Sequence, residues 1–324
     1  MNSQMNKPAY VAITLGHPDE LTVEAAEKFL KEFLFDKRVM NIPLIPRFFI
    51  SRMIARRRAK RYLRQLKTTL IDGDMPLAYY EQSLLKKFSE RGQNNIFFAH
   101  RYGRHNIRNT VDLAIRRGFR KFVFLPLFPQ CSSSMTLSVK DRVHKLGIPK
   151  QCYRFVNSYA ADPTYIDTIA NYVIDAVEQR ADEGKPPFDA LEVSFHSVPL
   201  SHLKESNYED ECEDTFRLLT KKVGGLFERG CFLTYQSQIR GHGGKWLEPD
   251  PKESVLRFHD KKIESLLVIA PGFSFDCTET VVELGRDMRR AFMKKGNFFE
   301  LISCLNDSER QIWLLEKLFE QAQE

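Results

Sequence analysis

The chain lacks any CxxC pair. Its six cysteines stand at 131, 152, 212, 231, 277 and 304, too scattered for a zinc ribbon or a clustered iron–sulfur motif. Scattered thiols of this kind suit a reducing, cytoplasmic setting. With 16 Gly and 15 Pro, the composition excludes collagen-like and low-complexity chains. There is no GxGxxG loop, no GxSxG elbow and no HExxH helix, which removes the dinucleotide dehydrogenases, the common hydrolases and the zincins. No signal-peptide pattern opens the chain, which reads MNSQMNKPAY before its first short apolar run. Long hydrophobic runs are missing too. The longest uncharged stretch, Phe122 to Val139, contains Pro126, Pro129 and a serine cluster, so no membrane-spanning helix is expected there.

Acidic residues are absent from Lys37 to Lys67, a segment holding eleven Lys and Arg. Against a net charge of +7 the rest of the chain is therefore acidic, at −4. Within the block, arginine alternates with Pro, Ile and Phe. Such a mixture suits an anionic membrane surface with the apolar side chains dipped in, and the expected partner is that surface through residues 40–64. A basic patch alone also fits nucleic acid, but no RNP, finger or helix-turn-helix signature follows it, so no nucleic-acid partner is expected.

Eight short apolar runs, rich in β-branched and aromatic residues and ending in polar, Gly or Pro residues, read as buried parallel strands. They are Tyr10–Leu15, Ile96–Arg101, Lys121–Pro126, Cys152–Asn157, Ala190–His196, Cys231–Gln236, Ser265–Ala270 and Glu300–Cys304. Helical periodicity fills the gaps, at Val23–Phe35, Asn106–Arg117, Thr164–Arg180 and Asp276–Lys294. The alternation predicts an α/β chain of two Rossmann-like domains, each a four-stranded parallel sheet flanked by helices. The pattern breaks near Gly147–Lys150. Residues 1–149 then form the first domain and 150–305 the second, and the last helix, Asp307–Gln321, returns 306–324 to the first.

In such sheets ligands bind beyond the carboxyl ends of the strands. His196 ends one of them, where a neutral imidazole can accept a proton or bind a metal, although a lone histidine is more often a satisfied, half-buried residue. After the strand Ser265–Ala270, Glu279, Glu283 and Asp287 recur at i, i+4 and i+8 on one helix face. Three like charges in a row ask for a cationic partner, which a passing divalent metal or protons would supply. A structural reading competes with this one. Asp276-x-x-Glu279 matches a capping box with Asp276 as N-cap, and Arg286, Arg289 and Arg290 stand ready to neutralise the lower rungs. Imidazole facing carboxylates suits ferrous iron or another first-row divalent ion.

At these residues the sequence resembles the ferrochelatase family, whose members insert ferrous iron into a porphyrin. The matching stretches are LGHPDE and AEKFLKEFLFDKRV near the start, FLPLFPQCSSSMTLSV at 124–139, SFHSVPLSHL at 194–203 and ECEDTFRLL at 211–219. They continue with LTYQSQIRGHGGKWLEPD at 233–250, APGFSFDCTETVVELG at 270–285 and CLNDSERQIWLLEKL at 304–318. The resemblance implies a porphyrin cleft between the two domains. It makes His196 the active-site histidine, Glu279 its facing glutamate, and Glu283 and Asp287 the acidic ridge, all four as metal-handling residues. It places Leu15, Arg101, Tyr102, Ser132, Ser133, Gln236 and Trp246 on the porphyrin, and the 40–64 block at a membrane-associated lip. The implied product is protohaem, made from protoporphyrin IX with ferrous iron as a substrate and no permanently bound cofactor. Coproporphyrin III, another metal and a non-catalytic porphyrin-binding role are the alternatives. The C-terminal cysteines that bind a two-iron cluster in some members are missing, so no iron–sulfur cluster is expected.

Some positions depart from the family pattern. Histidines stand at 17, 100 and 105, and Cys131 replaces a usual Tyr. The three histidines are expected on loop surfaces, with altered metal or porphyrin preference as the sharper alternative.

Overall fold

A computed structural model describes residues 7–238, 244–293 and 296–323. Lys294, where the sequence ends one predicted helix, and residues 239–243 of the family-like stretch at 233–250 lie outside the described residues. The chain divides into two compact units. Unit 1 comprises 1–128, 132–157 and 307–324, and unit 2 comprises 129–131 and 158–306.

Unit 1 runs β1 (Ala9–Thr14), α1 (Val23–Phe35), α2 (Leu44–Lys67), α3 (Pro76–Glu90), β2 (Ile96–His100), α4 (Ile107–Arg116), β3 (Phe122–Pro126), a π-helical turn at Ser133–Leu137, α5 (Ser138–His144) and β4 (Tyr153–Phe155). Its sheet is parallel throughout, in the order β2-β1-β3-β4. The division falls after Asn157, later than the break at Gly147–Lys150, because β4 pairs with β3 from Phe122↔Tyr153 to Phe124↔Phe155. Caps set the helix starts: Thr22 accepts from the Ala25 amide and Asn106 from the Asn109 amide. The basic block becomes the single helix α2. It buries Ser51, Ala55, Ala59 and Leu63, a row spaced by four that brings α1 close.

Unit 2 runs α6 (Pro163–Asp182), β5 (Ala190–His196), α7 (Tyr208–Val223), β6 (Cys231–Gln236), α8 (Pro251–Asp260), β7 (Ser265–Ile269), a π-helix at Glu279–Met288, α9 (Arg289–Phe292) and β8 (Phe298–Leu301). Its parallel sheet has the order β6-β5-β7-β8. One face of this sheet, through Ala190, Leu266, Val268 and Phe299, packs on Val255 and Phe258 of α8, Leu284 and Met288 of the π-helix, and Phe292 of α9. The last helix, α10 (Glu309–Gln321), belongs to unit 1, where Phe319 stacks on Tyr10 and Asp307 accepts from Lys87. Among the described residues no helix is long and apolar enough to cross a membrane.

Strands β5 and β6 match the sequence expectation to the residue. β8 starts two residues before the predicted Glu300 and ends at Leu301. Beyond Ile302 the chain leaves the sheet, drawn off by bonds from the Cys304 and Asn306 amides to Asp276 and to the Ser274 carbonyl.

Candidate active site

In unit 2 the strand order reverses around β5, with β6 on one side and β7 on the other, so the carboxyl end of β5 is the switch point of the sheet. His196 is its last residue. Its ring Nδ1 lies 2.5 Å from the Ser197 carbonyl oxygen. A carbonyl only accepts, so Nδ1 carries the proton in that bond and Nε2 keeps its lone pair for a proton or a metal ion. The backbone is held as firmly: the Tyr208 hydroxyl donates to the His196 carbonyl at 2.8 Å, and the Ser197 amide donates to the Gln236 carbonyl at 2.7 Å. Beyond the strand, Val198 and Leu200 pair with Leu247 and Lys245, which clamps Trp246 opposite Pro199. Gln236 stands opposite His196 in register. Three predicted residues, His196, Gln236 and Trp246, are thus brought onto one strand end.

The acidic ladder sits on a π-helix where the periodicity predicts an α-helix from Asp276. The capping box is not formed. Asp276 accepts from the Thr280 hydroxyl at 3.0 Å and the Asn306 side-chain amide at 2.7 Å, which ties it to the segment after β8. In the wider π-helix, residues four apart fall slightly short of a full turn instead of slightly past it, so the three rungs still share one side. Their surroundings differ. Glu283 accepts from the Ser237 hydroxyl at 2.8 Å. Burial pushes its carboxyl above the ordinary range, the charge of Glu279 adds to this, and the Ser237 bond, His196 and Lys252 oppose it. Ser237 holds a left-handed backbone, φ 68°, to make that contact, a strained conformation of the kind that gathers at functional sites. Asp287 instead pairs with Arg286 at 2.9 Å and approaches Lys252 at 4.0 Å. The lower rung is neutralised, the middle rung Glu283 shares the electrostatic neighbourhood of His196, and Glu279 acts on Glu283. Among the described residues no three His, Cys, Asp or Glu side chains converge as a metal-holding group.

The predicted residues of unit 1 are differently placed. Leu15 follows β1 directly and leads into Gly16, whose φ of +93° and lack of a Cβ are both required, since a Cβ would collide with the Tyr102 carbonyl and the His100 side chain. Arg101 and Tyr102 are committed to a buried hub at the end of α1. Asp36 pairs with the Arg101 guanidinium and accepts from Tyr102 at 2.9 Å, from Ser138 at 2.6 Å and from the Arg38 amide at 2.8 Å. Burial alone would raise the Asp36 carboxyl, but Arg101 and these bonds together hold it below the usual range. Tyr102 is 1% exposed, and burial drives its hydroxyl far up. Ser132 accepts from the Met135 amide at 3.3 Å and opens the π-helical turn, and both it and Ser133 are buried.

Of the three histidines, His105 alone is exposed. His100 is buried, with Nε2 2.8 Å from Glu81, which also accepts from Thr14 at 2.9 Å. The loop-surface expectation fails for His100 because it ends β2 inside the unit. Partly buried His17 packs edge-on against it at 4.9 Å, and burial, then the His100 charge, holds the His17 ring below its usual range.

The sequence reading missed Asp36, Ser138 and Ser237. A single acid closing an amphipathic helix is the signal that marks Asp36. Nothing local marks the other two, whose roles come from partners 102 and 46 residues away in the chain.

The family model for Ferrochelatase matches residues 7–323. The chain belongs to the ferrochelatase family. Curated ferrochelatase-family relatives agree. A ferrochelatase of Hamiltonella defensa is 33% identical over 97% of this chain and 98% of its own length. One from Idiomarina loihiensis is 33% identical over 98% of this chain and 89% of its own. Among solved structures, SirB from Bacillus subtilis with Fe3+ superposes with a TM-score of 0.57 at 10% identity, over 98% of this chain and 96% of that one, a likeness of fold.

Proposed function

We propose that this ferrochelatase-family chain inserts ferrous iron into protoporphyrin IX to form protohaem, with His196 and Glu279 as the working pair. The observation that carries the reading is the state of His196. Its Nδ1 proton is engaged by Ser197, and its Nε2, without a hydrogen bond among the described residues, lies at the switch point of a sheet where Glu283 of the acidic ridge acts on the same strand end. Metallation requires two pyrrole protons to leave and iron to shed water. His196 Nε2 accepts a pyrrole proton, and Glu279 and Glu283 receive protons or meet the incoming ion, Glu283 being suited to hold a proton because burial weakens its acidity. Gln236 and Trp246 contact the porphyrin beside His196, and the family likeness gives Leu15, Ser132 and Ser133 a porphyrin-binding role as well. Arg101 and Tyr102, given that role by the same likeness, are bound to Asp36.

The chain also meets an anionic membrane surface through residues 40–64, as a peripheral protein on the cytoplasmic side. Leu44, Ile45, Phe48, Phe49 and Met53 of α2 are exposed among its arginines, Ile45 at 73% and Phe49 at 65%. Arg52 lies over the Phe48 ring, so charge and apolar surface are presented together.

The test is an anaerobic mixture of the protein, ferrous iron and protoporphyrin IX, followed by haem absorbance beside a His196→Ala control. Turnover lost in the variant supports the reading. Metallation of coproporphyrin III alone moves the substrate, and binding without metallation of either porphyrin removes the activity.

A further inference from the structure

Glu192 is completely buried in the middle of β5. Strand alternation puts it on the same face as Ser194 and His196, the face covered by α8, the π-helix and α9. The neighbouring strand answers with Thr234 opposite Ser194 and Gln236 opposite His196. Two diagonal hydrogen bonds join them: Thr234 donates to Glu192 Oε1 at 2.7 Å, and Ser194 donates to Gln236 Oε1 at 3.2 Å. The other ends are open, since Glu192 Oε2 and Gln236 Nε2 are both buried without a partner among the described residues. The result is a polar track of two separate hydrogen-bonded pairs along an otherwise apolar face, with His196 beyond one end and a core carboxyl at the other.

The charges around this track do not neutralise Glu192. Asp250, which caps α8, acts on it with the same sign. From the π-helix, Glu283 faces the His196 end, and Glu279 and Lys252 of α8 act on Glu283 in turn. Burial, eased in part by Thr234 and reinforced by Asp250, pushes the Glu192 carboxyl up to about 8.

We propose that Glu192 is a positioning residue for His196: kept protonated in the core, it holds the track through Thr234, Ser194 and Gln236 electrically neutral, so that no buried anion competes for the proton His196 must take up and pass on. This rests on the chelatase reading above. Four residues of strand separate the two groups by about 13 Å. At that distance, with the effective dielectric of buried sites, ionising Glu192 changes the proton affinity of His196 by at most about tenfold.

The experiment compares pH–rate profiles of iron insertion for the wild type and Glu192→Gln, each normalised to its own plateau, alongside carbon NMR of the Glu192 carboxyl and nitrogen NMR of the Gln236 side-chain amide. The wild type should show a step of about two- to tenfold near pH 8 that coincides with titration of the Glu192 carboxyl, and Glu192→Gln should lack it. Superimposable profiles, or a Glu192 carboxyl titrating in the ordinary carboxylate range, overturn the proposal. Should Glu192→Gln fail to fold, Thr234→Val serves in its place: removing the donor moves the step to higher pH, and an unmoved step refutes the track. Should the wild type metallate neither porphyrin, the chelatase reading falls. The Gln236 amide then decides the track alone, which stands if that signal follows Glu192 ionisation and falls if it does not.

Discussion

Units 1 and 2 are built on the same strand order, with an interior strand, β1 or β5, ending at the switch point of each sheet. Around the end of β1 the polar groups are spent on each other: Thr14 and His100 both bond Glu81, and Arg101, Tyr102 and Ser138 all bond Asp36. Around the end of β5 they are left incomplete. Among the described residues His196 Nε2 and Gln236 Nε2 have no hydrogen-bond partner there, Glu192 Oε2 lacks one further back along the strand, and Glu279 and Glu283 repel one another. A satisfied polar network is rigid and chemically inert, whereas unsatisfied groups held in place are available to a substrate. The comparison teaches that, within one repeated topology, reactive capacity follows hydrogen-bond valence left over after folding.

The sharpest way to break this contrast is to remove a group from each side. His196→Ala should lower iron insertion by roughly 10²–10⁴-fold with the denaturation midpoint almost unmoved, read from haem absorbance and urea unfolding of the same preparation. Asp36→Ala should do the reverse in kind, costing about 3–5 kcal/mol of stability because it strands the buried Arg101 charge. In the wild type the Asp36 contribution is present above the ordinary carboxylate range and is lost as pH falls through its lowered folded value, so the variant should lose that acid dependence. If Asp36→Ala unfolds no more easily than the wild type, unit 1 is not the scaffold described.

Glu192→Gln sharpens the other side. A carboxyl raised to about 8 in the fold is protonated there while its unfolded counterpart is ionised, so wild-type stability falls as pH rises from the ordinary carboxylate range to about 8. The variant should be more stable by about 3 kcal/mol at pH 7 and nearly flat over that window, as thermal unfolding at several pH values would reveal. Smallest is Ser237→Gly. It relieves a left-handed backbone worth about 1 kcal/mol but removes the hydroxyl from Glu283, so stability should rise slightly while the Glu283 carboxyl titrates still higher. A fall in stability would mean that the hydroxyl bond outweighs the strain.

Most of the architecture was legible because buried parallel strands advertise themselves as short apolar runs. AYVAIT, ALEVSFH and CFLTYQ have no other use for so many β-branched and aromatic residues. Less legible was anything set by a distant partner. The apolar run near β8 gives no hint that Asp276 will pull Cys304 and Asn306 out of the sheet. The ladder spacing at 279, 283 and 287 reads as α because the i+4 repeat is compatible with either winding, and the tie from Asp276 to Asn306 is invisible in sequence. His196 was found from its strand end and from the family likeness. Glu192 passed unnoticed two turns of the pleat behind it, since one acid inside an apolar run looks like an edge residue until the strand proves to be central.

The return of α10 to unit 1 has a consequence for biosynthesis. Phe319 stacks on Tyr10, and Lys87 waits for Asp307, so the first sheet emerges from the ribosome long before the helix that covers it. At elongation rates of about 5–20 residues per second, the interval from Tyr10 to Phe319 is roughly 15–60 s. For that time the nascent first unit carries an uncovered apolar surface beside Tyr10, while the whole of unit 2 is made and has time to fold. Chaperone engagement of stalled nascent chains should therefore persist until residues beyond 307 have cleared the exit tunnel.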